Sequence, residues 1–454
     1  MLGVVVVSVP KGGFRVITLS RNESLLQRSR AAVWHPCTQM KHHESQPLVP
    51  IVRGEGAWLF DAEGKRYLDA VSSWWVNLFG HGHPHIKAAL HAQLDSLDHV
   101  MLAGLTHEPV IELSERLAQL TGLGHAFYAS DGASATEIAL KMSVHFWRNQ
   151  GRPEKNGFVS LAQGYHGETV GALAVTDIPL FRSAYAPLVR GAAVVPSPDA
   201  RLAAPGMDAE QQAESAARAL EVWLEQNHAH TAALIVEPMV QCAAGMAMYH
   251  PHYLRRARAL CTQYGVHLIA DEIATGFGRT GERFACEVAG IRADFICLSK
   301  GLTGGTLPLS AVLTTDAIYA AFYDDDTARG FLHSHSYTGN PLACRAALAT
   351  LDLLDDAQLV RNRDTAQRLS LAVRPLDEHP ALQNTRQLGM LWAWDAVTDD
   401  PLFSRRFHRA ALEQGLLLRP IGRTLYFMPP YVIDDADMAH LVEGSLRALS
   451  HALS

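Results

Sequence analysis

The sequence predicts an α/β protein with a large domain built on a mostly parallel sheet flanked by helices, and with a smaller α+β domain. Short apolar runs typical of buried parallel strands recur at Phe158–Leu161, Ala232–Glu237, Val266–Ala270 and Phe295–Leu298. Segments with helical spacing separate several of these runs, as in doubly wound sheets. The chain has 454 residues, which allows two or three domains at about 150 residues each.

The predicted domain boundaries follow changes in this pattern. Residues 1–20 contain one apolar run, Val4–Val7, with no basic segment before it, so a stray strand or a tail is expected rather than a secretory signal. Residues 21–85 are expected to contribute to the small domain, and residues 86–345 to form the large domain. In residues 346–454, helices and alternating strands predict the C-terminal small domain.

Composition argues against several classes of protein. The net charge of −7 disfavours a nucleic-acid surface or a polybasic membrane surface. The six cysteines form no CxxC pair, so neither a zinc ribbon nor a disulfide framework is expected, and a reducing cytoplasm fits. No apolar run approaches the roughly 18 residues of a membrane span. The sequence therefore predicts a cytoplasmic protein that acts on small molecules and has no metal site.

The N-terminal region predicts a hairpin followed by two adjacent tryptophans. Alternating segments at Trp58–Asp61 and Arg66–Asp69 surround the turn Ala62–Lys65. Trp74 and Trp75 come next, and adjacent residues of an extended chain point to opposite faces. We expect one indole to enter the core and the other to line a cavity. The pattern leaves open the alternative that both are core residues.

The segment before the next helix has the composition of a phosphate site. A strand at Phe127–Ala129 leads through Ser130–Ser134 into a helix predicted at Ala135–Gln150. Small residues at a helix start leave backbone N–H groups free at the positive end of the helix dipole. An ordinary N-cap has a similar composition and is the alternative.

A second loop offers aromatic side chains at the end of a strand. The strand Phe158–Leu161 is followed by Gly164–Gly167, in which two glycines bracket Tyr165 and His166. Such a pair suits stacking on a planar ring. The alternative is an ordinary turn with a half-buried tyrosine.

The remaining elements are predicted from apolar spacing and turn residues. They are helices at Pro84–His99, Ala209–Asn227, Pro251–Tyr264 and Leu342–Leu354, an apolar run at Leu307–Leu313, and strands at Leu391–Trp394, Leu416–Arg419 and Leu425–Met428. Arg419 ends one of these strands, where a guanidinium can clamp a carboxylate with two parallel hydrogen bonds. A surface arginine in a salt bridge is the alternative.

Two of the predicted strands lead to groups that can do chemistry. Val266–Ala270 leads to Asp271, and Phe295–Leu298 leads to Ser299 and Lys300. Ligands of open α/β sheets bind beyond the carboxyl ends of the strands. A lysine and a carboxylate at that edge suit pyridoxal phosphate, whose aldehyde reacts with an amine and whose protonated ring nitrogen pairs with an aspartate. A solvated lysine and a helix-capping aspartate are the alternatives.

These residues carry a resemblance to a known family. The run Asp271–Gly281, with Lys300 placed 29 residues after Asp271, resembles the signature of class-III aminotransferases, which are fold-type-I pyridoxal-phosphate enzymes. Further segments resemble the branch of that family that serves biotin biosynthesis. They are Trp34–Pro36, Ser72–Trp75, Gly164–Gly167, Gly339–Cys344 and Met428–Tyr431. The similarity runs from about Trp34 to the C-terminus.

The resemblance implies roles for residues that hold the cofactor. Lys300 is implied to condense with the cofactor aldehyde and later to carry the proton. Asp271 holds the proton of the ring nitrogen, and Tyr165 stacks on the ring. Gly132 and Ala133 are implied to bind the phosphate at the helix N-terminus.

Other roles implied by the resemblance concern the partner subunit and the substrates. Ser336 reaches a phosphate across the interface of a homodimer that shares its active sites, with Ser334 and His335 beside it. Trp74 and Tyr426 line the substrate pocket together with Cys37. Arg419 takes the substrate carboxylate, and Arg279 lies near the amino-donor end.

The chain departs from the family pattern at two positions. Cys37 stands where the family commonly has a tyrosine that packs against the substrate and stacks on adenine, so the identity of the donor is open. Ala133 stands where a hydroxyl residue is frequent, and the loss of one phosphate hydrogen bond costs about 1–2 kcal/mol. Ser130 and Ser134 are the candidates to compensate.

The resemblance implies a ping-pong transamination from S-adenosylmethionine to 8-amino-7-oxononanoate, which gives 7,8-diaminononanoate. Lysine as the donor is one alternative. Another is a class-III ω-aminotransferase that acts on 4-aminobutyrate, ornithine or a β-amino acid. A non-catalytic scaffold that binds the cofactor is disfavoured because both Lys300 and Asp271 are present.

Overall fold

The computed structural model describes residues 3–9, 13–46 and 48–454. Its strands are β1 Gly3–Val9, β2 Gly13–Leu19, β3 Ile51–Glu55, β4 Trp58–Asp61, β5 Arg66–Asp69, β6 His125–Ala129, β7 Gly157–Leu161, β8 Ala193–Val195, β9 Thr231–Val236, β10 Val240–Gln241, β11 Ala247–Met248, β12 His267–Asp271, β13 Phe295–Leu298, β14 Ser310–Thr314, β15 Leu382–Leu388, β16 Leu391–Ala396, β17 Leu416–Leu417 and β18 Thr424–Phe427.

The helical segments range from a single turn to five turns. They are α1 Arg21–Ala32, α2 Ser72–Trp75, α3 Pro84–Leu94, α4 Glu108–Thr121, α5 Gly132–Asn149, α6 Val170–Val175, α7 Pro179–Arg182, α8 Ala209–Asn227, α9 His252–Tyr264, α10 Ala285–Val288, α11 Asp316–Ala320, α12 Pro341–Leu353, α13 Asp356–Ala372, α14 Arg374–Asp377, α15 Phe403–Glu413 and α16 Asp435–Leu453. Within the described part of the chain, none of them is both long and apolar enough to cross a membrane.

The central sheet confirms the predicted α/β fold. Its seven strands lie in the order β6-β14-β13-β12-β9-β7-β8. All run parallel except β14, which is antiparallel to both of its neighbours. The inner strands β9, β12 and β13 are buried at every residue, which explains why they appear in the sequence as continuous apolar runs. Their carboxyl ends meet at one edge of the sheet.

Most predicted elements are confirmed, but two helix boundaries were wrong. The strand predicted at Leu416–Arg419 was also too long, since β17 ends at Leu417 and Arg419 lies two residues beyond it. The hairpin strands and helix α8 have the predicted bounds. Helix α3 ends at Leu94 rather than near His99, because Gln93 donates from its side chain to the Leu97 carbonyl and closes the chain into a turn. Helix α5 begins three residues before the predicted Ala135, because Asp131 caps it.

A four-stranded sheet joins the two ends of the chain. Its order is β17-β5-β4-β3, and β17 pairs in parallel with β5. This pairing supports the proposal that residues 21–85 contribute to the small domain, and the domain boundaries stay a prediction. The apolar run Val4–Val7 lies in β1, which pairs antiparallel with β2. Residues 1, 2 and 10–12 of the predicted tail lie outside the described residues.

Candidate active site

A cavity of about 560 Å³ opens beyond the carboxyl ends of β7, β9, β12 and β13. Its volume lies within the range of small-molecule sites. Seven predicted site residues line it: Cys37, Trp74, Gly132, Ala133, Tyr165, Asp271 and Lys300. The fold therefore gathers residues that are far apart in sequence into one place.

Lys300 lies at the base of this cavity, directly after β13 and Ser299. Its Nζ is 4.9 Å from the centroid of the Trp75 ring. Burial lowers the pKa of the Lys300 amine, and the nearby Asp271 carboxylate opposes that shift. A lowered pKa increases the fraction of neutral amine, which is the nucleophilic form.

Asp271 ends β12 and is held by a buried histidine. Its Oδ2 lies 2.7 Å from Nδ1 of His166, and its Oδ1 accepts the backbone N–H of Ile273 at 3.1 Å. Asp271 and His166 are 4% and 2% exposed, respectively. The carboxylate is therefore fixed in orientation from two sides while it still faces the cavity.

Glu237 follows β9 and supports the loop that carries Tyr165. Its two oxygens accept the backbone N–H groups of Tyr165 and Cys242, each at 3.0 Å. Burial raises the pKa of Glu237 to about 7, and the Asp271 carboxylate adds to the shift. The sequence assigned Glu237 no role. It grouped His166 with Tyr165 as an aromatic pair suited to stacking on a planar ring, whereas the His166 side chain is buried and contacts Asp271.

The start of α5 has the features of an anion site. Asp131 accepts the Ser134 backbone N–H at 2.9 Å and the Ser134 hydroxyl at 2.8 Å. No acceptor among the described residues takes the N–H groups of Gly132 and Ala133, which lie in the first turn. The Ser134 hydroxyl donates to Asp131, and neither Ser130 nor Ser134 lines the cavity, so compensation by these serines for the hydroxyl that Ala133 lacks stays a prediction.

The loop Gly164–Gly167 packs closely on this helix start. A Cβ atom added to Gly167, which has φ +123°, would lie only 2.4 Å from the Cβ of Ala133. The close approach favours small residues at both positions. It also brings the Tyr165 ring to the wall of the cavity.

Tyr165 presents a hydroxyl that is held as a donor. It donates to Oε1 of Glu168 at 3.0 Å. Burial raises the pKa of the Tyr165 hydroxyl well above its usual value, and the Glu168 carboxylate adds to this effect. Glu168 is exposed and lines the cavity, and the sequence assigned it no role. The cavity thus carries a carboxylate beside an aromatic wall.

The two tryptophans lie on a left-handed turn, so the predicted extended chain was wrong. Positive φ values occur at four consecutive residues, with 50° at Ser72, 47° at Ser73, 73° at Trp74 and 75° at Trp75. A left-handed conformation costs non-glycine residues about 1–2 kcal/mol each. The Trp75 N–H donates to the Val71 carbonyl at 2.8 Å, which closes the turn.

The expected difference in burial between the two indoles is nevertheless observed, although both indoles border the cavity. Trp74 is 44% exposed at the cavity, whereas Trp75 is 5% exposed. Trp75 also borders the cavity, and its Nε1–H donates to the Tyr426 hydroxyl at 3.1 Å. Tyr426 is therefore buried behind Trp75 rather than in the cavity wall.

Arg419 lies at the rim of the cavity: it is not a lining residue itself, but it contacts Trp74 and Cys37, which are. Its guanidinium carbon is 4.9 Å from the Trp74 ring centroid, and its Nη2 donates to the Cys37 carbonyl at 3.1 Å. The side chain is exposed, so the other N–H groups of the guanidinium can take a carboxylate. Burial raises the pKa of the Cys37 thiol, and the charge of Arg419 opposes that shift.

Arg279 is not brought to the cavity. It is 1% exposed, and it donates to the Pro429 carbonyl at 2.7 Å and to the Asn77 carbonyl at 2.8 Å. Its guanidinium carbon lies 5.0 Å from the Tyr431 ring centroid. The Arg279 guanidinium therefore links the segments that contain Asn77 and Pro429.

The residues predicted to bind a phosphate across the dimer interface also lie outside the cavity. Ser334, His335 and Ser336 belong to the segment before α12. That segment is closed by the Thr338 hydroxyl, which donates to the His335 carbonyl at 2.9 Å. The role predicted for them requires a second subunit.

The residues at the cavity fit pyridoxal phosphate. The half-buried Lys300 amine can react with the aldehyde, the fixed Asp271 carboxylate suits a protonated ring nitrogen, and the start of α5 offers N–H groups for a phosphate. The Tyr165 ring provides a flat wall. Each chemical feature of the cofactor therefore has a counterpart of the required kind.

Comparison with known proteins agrees with this assignment. Residues 39–449 match the family described as Aminotransferase class-III. The chain is 42% identical to an adenosylmethionine-8-amino-7-oxononanoate aminotransferase of Helicobacter pylori, over 94% of this chain and 98% of the relative. It is 39% identical to the enzyme of the same name from Geobacter sulfurreducens, over 94% of this chain and 97% of that one.

Two solved structures have the same fold. The crystal structure of adenosylmethionine-8-amino-7-oxononanoate aminotransferase from Methanocaldococcus jannaschii matches with a TM-score of 0.88 and 33% identity, covering 94% of this chain and 98% of that chain. An ω-transaminase from Pseudomonas jessenii in complex with PMP matches with a TM-score of 0.90 and 27% identity, with the same coverage. The chain belongs to the class-III aminotransferases, which are pyridoxal-phosphate-dependent enzymes.

Proposed function

We propose that the enzyme transfers the amino group of S-adenosylmethionine to 8-amino-7-oxononanoate, giving 7,8-diaminononanoate for biotin synthesis. The similarity to relatives with that name, over nearly the full length of both chains, supports the choice of substrates. The observation that carries the proposal is the exposed Arg419 guanidinium against Trp74 at the cavity rim. A keto acid with a distal carboxylate can place its ketone in the cavity while Arg419 holds its carboxylate.

The proposed roles of the residues follow from their positions. Bound pyridoxal phosphate supplies an aldehyde and an electron-withdrawing ring. Lys300 binds that aldehyde and moves a proton at the reacting carbon, for which a lowered amine pKa is suited. Asp271, oriented by His166, keeps the ring nitrogen protonated. The N–H groups of Gly132 and Ala133 bind the phosphate, and Tyr165 covers the ring.

Charge distribution in the cavity suits substrates that carry an amine. The exposed Glu168 carboxylate accepts from Tyr165 and lies at the cavity. It can attract an ammonium or sulfonium group, while Arg419 at the rim attracts a carboxylate. A substrate that carries both an ammonium and a carboxylate is therefore favoured over an amine that lacks a carboxylate.

A second candidate is an ω-transaminase that uses simple amines. The ω-transaminase of Pseudomonas jessenii has a TM-score of 0.90, against 0.88 for the adenosylmethionine-8-amino-7-oxononanoate aminotransferase of Methanocaldococcus jannaschii. Lysine is also a candidate donor, because the small Cys37 side chain at the cavity cannot stack on an adenine ring. The proposed donor rests on the names of the relatives and on the charges described above.

A half-reaction screen tests the proposal. The purified holoenzyme is mixed separately with S-adenosylmethionine, lysine and 1-phenylethylamine while the visible absorption band of the cofactor is followed. S-adenosylmethionine should convert the band, and addition of 8-amino-7-oxononanoate should restore it with formation of a diamine detected by mass spectrometry. If lysine alone converted the band, lysine and not S-adenosylmethionine would be the amino donor. Conversion by 1-phenylethylamine alone would favour the second candidate.

We also propose a cytoplasmic homodimer with shared active sites. Ser336 lies outside the cavity of its own chain, which leaves it free to meet a partner's cofactor phosphate. Exposed apolar side chains flank that segment, with Leu332 80% and Tyr337 63% exposed. Covering them in a subunit interface would remove apolar area from water.

A further inference from the structure

The left-handed turn Ser72–Trp75 carries both indoles of the cavity and depends on buried contacts outside the cavity. Four consecutive non-glycine residues of the turn have positive φ. Because this backbone is unfavourable by itself, the surrounding structure has to hold it. The contacts at each end of the turn show which residues do so.

Asp69 holds the beginning of the turn. It is the last residue of β5, is 0% exposed, and does not line the cavity. Its Oδ1 accepts the Ser73 N–H at 2.8 Å, and its Oδ2 accepts the Ser73 hydroxyl at 2.6 Å. A single carboxylate thus takes both donors of a residue with φ 47°.

The imidazole of His81 orients the Asp69 carboxylate. Its Nε2 lies 2.9 Å from Oδ2 of Asp69, and its Nδ1 lies 3.2 Å from Nδ2 of Asn77. Because the Asn77 amide nitrogen only donates, Nδ1 is the acceptor, and Nε2 carries the proton that is donated to Asp69. Two backbone hydrogen bonds with Gly56 anchor His81 to the neighbouring hairpin.

The other contacts of the turn reach the C-terminal region and the buried Arg279. The Ser72 hydroxyl donates to the Met428 carbonyl at 2.7 Å. The Asn77 carbonyl, just after the turn, accepts from Arg279 at 2.8 Å. Neither contact bonds Ser73 or Trp74. Within the described residues, the side-chain hydrogen bonds to the strained middle of the turn come from Asp69, while Arg419 contacts the Trp74 ring.

We propose that Asp69 and His81 are positioning residues for the substrate cavity, which set the places of Trp74 and Trp75 without touching the substrate. The substrate used to test this role rests on the proposed function, whereas the geometry does not. Loss of the carboxylate lets the turn relax towards ordinary φ values, which moves Trp74 away from Arg419 and Trp75 away from Lys300. Substrate binding then suffers more than cofactor binding.

The matched variants are Asp69→Asn and Asp61→Asn, which alter buried carboxylates at the ends of neighbouring strands in the same hairpin. Asp61 also accepts two backbone N–H groups, those of Glu63 and Lys65, but it lies away from the cavity. Hydrogen exchange of the holoenzyme should accelerate in residues 70–79 of Asp69→Asn and not of Asp61→Asn. The KM for 8-amino-7-oxononanoate should rise about tenfold or more in Asp69→Asn alone, with a smaller change in kcat.

Two further variants separate positioning from a general loss of stability. Ser73→Ala removes only the hydroxyl donor and should raise the KM by a smaller factor without preventing folding. Adding Ser73→Gly to Asp69→Asn should recover part of the KM and of the exchange protection, because glycine adopts positive φ freely. Unchanged exchange in residues 70–79 of both Asp69→Asn and Ser73→Ala would overturn the proposal. If the wild-type enzyme did not use the keto acid, the proposed function would fail, and the exchange data would still decide the role of Asp69.

Discussion

Nδ1 of His166 lies 2.7 Å from Oδ2 of Asp271, and both side chains are buried at the end of β12. In the neutral imidazole this contact is a hydrogen bond in which Nδ1 donates to the carboxylate. Among the described residues, none pairs with Nε2 of His166. The carboxylate that faces the cavity is thus oriented by a side chain that follows a different strand.

Asp271→Asn is expected to leave cofactor binding measurable and to lower turnover by orders of magnitude, because a neutral amide does not keep the ring nitrogen protonated. His166→Phe should cost less, about tenfold to a hundredfold in kcat, since it removes one hydrogen bond to a charged group. Steady-state kinetics and the pH titration of the visible band measure both effects. Equal losses in the two variants, or no loss in Asp271→Asn, would contradict the assignment.

Lys300→Ala is expected to abolish both turnover and the visible band of the covalently bound cofactor, because no other amine described at the cavity can replace Lys300. Absorption spectra of the purified variant after incubation with pyridoxal phosphate provide the measurement. Lys87→Ala, an exposed lysine on α3, is the control and should keep both. Activity near that of the wild type in Lys300→Ala would refute the role.

Arg419→Ala should raise the KM for the keto acid by one to a few powers of ten, because charge-assisted hydrogen bonds contribute about 1.5–3 kcal/mol each. The visible band should persist, since Arg419 contacts Trp74 and Cys37 and not the residues assigned to the cofactor. Arg419→Lys should recover only part of the loss, because an ammonium lacks the planar fork. Arg423→Ala alters a nearby exposed guanidinium and serves as the control. An unchanged KM in Arg419→Ala would exclude the carboxylate clamp.

Glu237 should make stability depend on pH. Its pKa is raised from 4.5 to about 7 by burial, so the folded state keeps a proton that the unfolded state has lost. The resulting stabilisation is complete below pH 4.5 and is lost as the pH rises through 7, by on the order of 3 kcal/mol.

Urea unfolding of the holoenzyme at pH 5 and pH 8 measures this effect. Glu237→Gln should reduce the difference between the two pH values, while Glu168→Gln, at an exposed carboxylate of the same cavity, should retain it. Glu272, whose pKa burial also raises to about 7, should account for part of the remaining slope. If Glu237→Gln kept the full difference in unfolding free energy between pH 5 and pH 8, another group would have to be responsible for it.

The shared phosphate site predicts that cofactor affinity depends on assembly. Ser336→Ala should weaken pyridoxal phosphate binding about tenfold, as expected for the loss of one hydrogen bond to a charged group. Dilution into monomers should release the cofactor. Sedimentation velocity combined with cofactor fluorescence measures both, and Ser404→Ala, a hydroxyl in α15, is the control. A monomer that keeps the cofactor with full affinity would rule out sharing.

The sequence by itself determined the sheet and the chemistry at its edge. The continuous apolar runs that became β12 and β13 are diagnostic because both faces of a parallel sheet are covered. Parallel strands present their carboxyl ends at one edge, so the sequence itself predicts that Asp271 and Lys300 lie together. The hairpin and α8 were equally predictable, since turn residues and helical spacing are local signals.

Only the tertiary structure decided how the substrate side is built. Arg279 and Arg419 were both implied to be substrate residues, but the first donates to two buried carbonyls and the second lies exposed at the rim. The left-handed turn at Trp74 has no local signal, because its non-glycine residues adopt positive φ only where Asp69 compensates. The positions of the two arginines and of the turn are set by backbone carbonyls and buried carboxylates that are distant in sequence. Local residue patterns do not predict which of these groups come into contact.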